Sequence, residues 1–167
     1  MRHFLIATTA LLLASATLAA EPEKFTIPHD EAALGSRLKT SRFTLNVPPD
    51  KNYADLTEAQ KNLVKANYEN LGPDDEPPYP VGGVLTLYKT ISDVGIYWKA
   101  VGEIELIATV SPEGNVTAVS AFKTPDIRMT EYAAKILAVQ KFKPAMCKGV
   151  PCVMDFPLKL NLRTKRG

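Results

Sequence analysis

Gly102-Glu103-Ile104-Glu105-Leu106-Ile107-Ala108-Thr109-Val110 is the stretch whose reading decides the fold. Ile104, Leu106, Ala108 and Val110 fall at every second position, so an extended chain places them on one face and most of the charge on the other. Ser111-Pro112-Glu113-Gly114-Asn115 follows with turn chemistry: a proline that presets φ, then Gly and Asn, which accept positive φ. Val116 to Lys123 alternates again, with Val116, Ala118, Ser120 and Phe122 on one side, and the two runs read as a β-hairpin. The period then changes. After Thr124-Pro125-Asp126, the residues Met129, Tyr132, Ala133, Ile136, Leu137 and Val139 trace a helix face that Pro144 brings to a stop. Met154, Phe156, Leu158, Leu160 and Leu162 alternate with Asp155, Pro157, Lys159 and Asn161, the most regular strand pattern in the chain. Strand, strand, helix, strand predicts an α+β fold in which an amphipathic helix covers one apolar face of a small antiparallel sheet.

Working outward, Val84, Leu87, Tyr88, Ile91, Val94 and Trp98 recur at helical spacing and predict a helix that packs on this sheet. Upstream, Leu56, Ala59, Leu63, Val64 and Tyr68 give an apolar stripe on a charged helix over Thr57 to Asn70, ended by Gly72-Pro73. Between the two, Asp74-Asp75-Glu76-Pro77-Pro78-Tyr79-Pro80 reads as an extended, acidic, proline-rich connector and the domain boundary. Ser41 to Val47 alternates like a strand closed by Pro48-Pro49, and Asp30 to Lys39 is compatible with one or two helical turns.

Met1-Arg2-His3 followed by the apolar run Phe4 to Leu18, with small residues before the polar Glu21, predicts a secretory signal peptide cleaved near Ala19 or Ala20. The run is shorter than the ~20 apolar residues of a spanning helix; retained, it would anchor the chain in the inner membrane instead. The expected organisation is therefore a leader over 1–20, a partly helical extension over 21–76, a domain over 77–163 and a basic tail over 164–167. The 20 basic and 18 acidic side chains leave no stripe of one sign, which speaks against nucleic acid as a partner.

Catalytic machinery is not legible. Beyond the leader His29 is the sole histidine, set between Pro28 and Asp30 in irregular sequence, where it is expected to be solvated. The carboxylates of Asp74-Asp75-Glu76 read as linker, and those of Glu103 and Glu105 as the polar face of a strand. No phosphate-binding loop, dinucleotide fingerprint or nucleophile elbow occurs, so the expectation is a non-enzyme without metal or cofactor. Cys147-Lys148-Gly149-Val150-Pro151-Cys152 spans the turn into the last strand. An even cysteine count in an exported chain predicts a disulfide between Cys147 and Cys152. The rival is a redox-active pair in a small periplasmic thiol-disulfide protein, although such pairs usually stand two residues apart at a helix start.

Ser111-Pro112-Glu113-Gly114, Glu131-Tyr132-Ala133-Ala134, Lys141-Phe142-Lys143-Pro144-Ala145 and Phe156-Pro157-Leu158-Lys159-Leu160 occur in one order, with Pro78-Tyr79-Pro80 ahead of them. This set resembles the TonB C-terminal-domain family, the periplasmic part of the energy transducer of Gram-negative outer-membrane uptake, over roughly the last half of the chain. The resemblance implies a non-catalytic ββαβ domain that captures a short peptide of an outer-membrane or periplasmic protein. The peptide would add as a strand beside the last strand of the sheet. Carried onto this sequence, the binding edge is Val153, Asp155, Pro157, Lys159 and Asn161, and the same edge could serve a homodimer. The long Pro-Lys/Pro-Glu linker of full transducers is absent here, and a cleaved leader would leave energy no route to the domain. An anchored transducer is therefore the alternative to a periplasmic binding module.

Overall fold

The computed structural model describes residues 25–26, 38–39 and 45–163. Three strands make the centre: β3 (Gly102–Val110), β4 (Val116–Lys123) and β8 (Met154–Leu162). β3 lies in the middle, antiparallel to both neighbours, because it alone alternates completely buried residues along its whole length. A two-residue strand, β1 (Phe25–Thr26), adds in parallel to the outer side of β4, giving the order β1-β4-β3-β8.

β4 does not present the face its spacing predicts. Val110 pairs with Val116 but Thr109 with Ala118, and Leu106 pairs with Ala121 but Glu105 with Lys123. Each jump leaves one unpaired residue, and a one-residue bulge exchanges the faces of everything beyond it. Val119 and Ala121 therefore join the core, whereas Ala118 and Ser120 stand on the other face.

Two helices cover the apolar face. α3 (Ile127–Ala138) begins where the Asp126 carboxylate accepts from the Met129 amide at 3.1 Å, and it buries Met129, Ala133, Ala134 and Leu137. α2 (Leu85–Tyr97) buries Leu87 and Ile91 beside them. Burying each of Leu87, Ile91, Met129 and Leu137 contributes about 1.5–3 kcal/mol. The α+β architecture is thus the expected one, and both predicted helices lie on the sheet. Trp98 does not reach the sheet; it ends α2 half-exposed, edge-on to Tyr132 of α3 at 5.7 Å.

Residues 45–80 wrap this unit. α1 (Glu58–Lys65) opens on a reciprocal box in which the Thr57 amide donates to Gln60 and the Gln60 amide donates back to the Thr57 hydroxyl. It is shorter than its apolar stripe predicts, because the Asn67 amide group donates to the carbonyls of Leu63 and Val64 and closes its end. Leu45 to Val47 lie outside any strand, and the remainder of the predicted strand and the turns over 30–37 fall outside the described residues. His29 does too.

The proline-rich stretch is not a loose connector. β2 (Tyr79–Pro80) pairs with β5 (Phe142–Lys143), Glu76 bridges to Met146, and Tyr79 is 0% exposed. Asp75 is buried, accepting from the Gly72 amide at 2.9 Å and the Lys148 amide at 2.8 Å. Just beyond, the Pro49 carbonyl takes the amides of Val84 and Leu85 at 2.7 and 2.8 Å, two of the orphan donors at the start of α2. Gly83 makes this approach feasible: it has φ +80°, and a Cβ there would stand 2.4 Å from that carbonyl oxygen.

Candidate functional site

β8 is the last strand in the sheet order, and among the described residues β3 is its only strand neighbour. Its nine residues pair with β3 without a register break from Met154↔Val110 to Leu162↔Gly102. Such a strand keeps one row of backbone groups turned away from the sheet. Pro157 fixes which row. Proline has no N–H to give, so the pairing opposite Ile107 loses nothing only where the proline nitrogen faces outward. By the two-residue alternation, the backbone of Asp155, Lys159 and Asn161 shares that outward direction.

The side chains of the expected edge fall into distinct environments. Val153 is exposed but precedes β8, so it belongs to the entry of the strand and not to its ladder. Asp155 is half-buried and accepts from the Thr109 hydroxyl at 2.8 Å. Pro157 is buried, contributing packing and not a surface contact. Lys159 is half-buried and ion-paired with Glu103, whose other oxygen meets Lys123 at 3.2 Å. Asn161 is exposed. The hydrogen bonds from Lys159 and then Lys123 hold the Glu103 carboxyl below its usual range, and the same bond to Glu103 holds the Lys159 ammonium above its own. Glu103 is thus a bridging anion across three strands. Phe156, Leu158 and Leu162 belong to the core beneath the helices.

At the start of β8 stands a hairpin, β6 (Ala145–Cys147) with β7 (Val150–Cys152), closed by the Cys147–Cys152 disulfide with its Cα atoms 5.8 Å apart. Lys148 and Gly149 form its tip, both with positive φ. The bridge joins two short antiparallel strands, not a helix start, and the Lys148 amide is tied down to Asp75.

Sequence reasoning missed an aromatic cluster behind the disulfide hairpin. Tyr53 and Tyr79 lie 5.8 Å apart, with the Lys143 ammonium 4.7 Å from the Tyr53 ring and 2.9 Å from Glu76. Among the described residues neither buried hydroxyl has a hydrogen-bond partner. Burial pushes both phenols up in pKa, so they remain neutral and offer no proton acceptor near neutrality. Among the described residues no group of three or more His, Cys, Asp and Glu could hold a metal ion, and no helix is long and apolar enough to cross a membrane. Comparison with known proteins finds no matching family model, no matching curated protein and no matching solved structure.

Proposed function

We propose that the chain is a non-catalytic binding module of the periplasm that takes up an extended peptide from an envelope protein along β8. One observation carries this reading: a nine-residue strand at the end of the sheet order, held on one side by an unbroken register, with a proline that turns its missing donor outward. The docking peptide would pair with the backbone of Asp155, Lys159 and Asn161, and Pro157 would cost it one main-chain bond. The motif resemblance to TonB C-terminal domains supports the same mode, and the leader-like N-terminus supports export.

The test is selection of random displayed peptides on the immobilised protein, followed by titration into the Asn161→Pro variant. That substitution removes one outward N–H and leaves an exposed side-chain position otherwise untouched. The reading requires binding to weaken and the amides of Asp155 and Lys159 to gain exchange protection in the wild-type complex. Peptides that bind Asn161→Pro as well as wild type would place the site elsewhere. A wild-type mass of two chains that Asn161→Pro reduces to one would assign the edge to a second copy.

A further inference from the structure

β4 and β8 flank β3 on opposite sides, and their outer edges differ in chemistry. β8 makes its edge selective: Pro157 withholds one donor, and Asp155 and Lys159 set charge beside it, so a strand that adds there must match them. β4 has no such device. Val116-Thr117-Ala118-Val119-Ser120-Ala121-Phe122 holds no charge, no proline and no glycine, and Val116, Thr117 and Val119 are β-branched. Thr117, Ala118 and Phe122 are exposed. A run of this composition on an outer strand is the signature of a segment that pairs with copies of itself.

The chain itself covers this edge. β1 runs parallel to β4, with Phe25 opposite Val119 and Thr26 opposite Ser120, and among the described residues no other strand lies on that side. The backbone directions of β4 agree with this placement. Ile107 stands opposite Pro157, which has no N–H to exchange, so Ile107 turns its own N–H and C=O toward β4. Its partner Ser120 therefore faces β3, and Val119 and Ala121 on either side of it face outward, to β1. An outward residue of a parallel ladder bonds to the neighbours of its partner, so the Thr26 amide is the donor to the Val119 carbonyl.

We infer that β1 is a guard strand, which occupies the middle of β4 within the same chain and keeps that edge from pairing with a second copy. A two-residue strand is enough for this task because of where it sits. Seated at Val119 and Ser120, it interrupts the uncharged run at its centre and leaves only Val116 to Ala118 and Ala121 to Lys123 uncovered. Each remnant is at the short limit of a strand, and a pair of that length is not stable alone. The inference is independent of peptide capture, which uses β8 on the other side of β3.

The experiment compares the full chain, as purified from cells, with its Thr26→Pro variant. The substitution removes the donor that β1 gives to Val119 and leaves Phe25 free to stay extended. Amide exchange, read residue by residue by nuclear magnetic resonance, should quicken about tenfold or more at Val119 and Ala121. It should stay unchanged at Ser120, whose N–H faces β3, so the same spectra report that the sheet is intact. Sedimentation velocity over a concentration series should show Thr26→Pro forming larger species than wild type. Adding Ala118→Lys to Thr26→Pro sets a charge at an exposed position of the bared edge and should restore the wild-type size.

Four results would overturn the inference. One is equal exchange at Val119 and Ala121 in the two proteins, since β1 would then not be holding them. A second is faster exchange with no growth in size, since the bared edge would need no guard. A third is growth that Ala118→Lys leaves in place, which would put the contact elsewhere. The fourth is a wild-type dimer that Thr26→Pro reduces to monomer, which would make β1 a strand exchanged between two copies.

Discussion

Residues 102–162 and residues 45–80 bury comparably apolar side chains, yet they are built on different physical plans. In the first region, each element contributes a repeating face: every second residue of β3 and β8, every third or fourth of α3. In the second, solitary anchors are pinned by partners distant in sequence. Tyr79 pairs with Lys143, Asp75 receives the Lys148 amide, and Pro49 caps α2 through its carbonyl. A periodic face spreads its stabilisation over many equivalent positions, whereas an anchored wrap concentrates it in a few.

Truncation inside the periodic region should give the largest effect. Leu106 lies at the centre of β3, completely buried between β4, β8 and the helices. Leu106→Ala is expected to cost about 2–5 kcal/mol by lost transfer energy plus the cavity left behind. Urea unfolding followed by circular dichroism measures it. A cost below about 1 kcal/mol would mean that the sheet is loosely packed and that its periodic faces do not carry its stability.

The disulfide lies where the two plans meet, since its hairpin contacts the wrap through Glu76↔Met146 and feeds directly into β8. Closing a loop of sequence separation 5 should stabilise by about 2 kcal/mol on the chain-entropy estimate. Cys147→Ser with Cys152→Ser should therefore lower the urea midpoint without changing the transition slope. If the slope also falls, the wrap has come away as a separate unit, and it owes its attachment to the bridge.

The periodic region was legible because its information is local. Ile104 to Val110 and Phe156 to Leu162 declare their buried faces within a few residues, and Asp126 announces the start of α3. The Cys147–Cys152 pair was legible for the same reason. Where locality failed, so did the reading. One bulge past Val116 exchanged the faces of β4, because a single unpaired residue shifts the phase without leaving a mark in the hydrophobic pattern. Tyr79 and Asp75 looked like linker, since the strand that pairs with Tyr79 and the amide that meets Asp75 come from residues 142–148. The Pro-Tyr-Pro triplet did carry a signal: a bulky aromatic between rigid prolines is poor linker composition and good anchor composition. The edge position of β8 was anticipated through resemblance, and Pro157 was the one residue that hinted at it directly.

A sharper test of the wrap uses the Tyr79 hydroxyl. Among the described residues it has no hydrogen-bond partner, an arrangement that costs stability because its hydration is lost and not replaced. Tyr79→Phe keeps the ring contact with Tyr53 and removes the orphan oxygen, so it should stabilise by about 1 kcal/mol. Thermal unfolding of the two proteins side by side checks the sign. Destabilisation would show that the hydroxyl is satisfied in solution, for instance by a water held between the wrap and β5.

The smallest expected effect concerns the charged face of the sheet. The folded pKa of Glu103 is depressed, first by its hydrogen bond from Lys159 and then by that from Lys123. Its stabilising contribution is therefore complete above its ordinary value of 4.5 and disappears as pH falls through the lower folded value. Lys159 is displaced the opposite way, so its contribution is complete below its ordinary value of 10.5 and disappears as pH rises through the higher folded one. The network is whole between these limits, and salt should weaken it because its members are accessible to solvent. Glu103→Gln should leave the unfolding midpoint nearly unchanged in high salt and flatten the acid limb of the stability profile below pH 4.5. If the acid limb of Glu103→Gln matches that of wild type, the bridge across β4, β3 and β8 contributes nothing to the sheet. The registration of β8, and with it the shape of its outer edge, would then rest on backbone pairing and the buried Phe156, Leu158 and Leu162 alone.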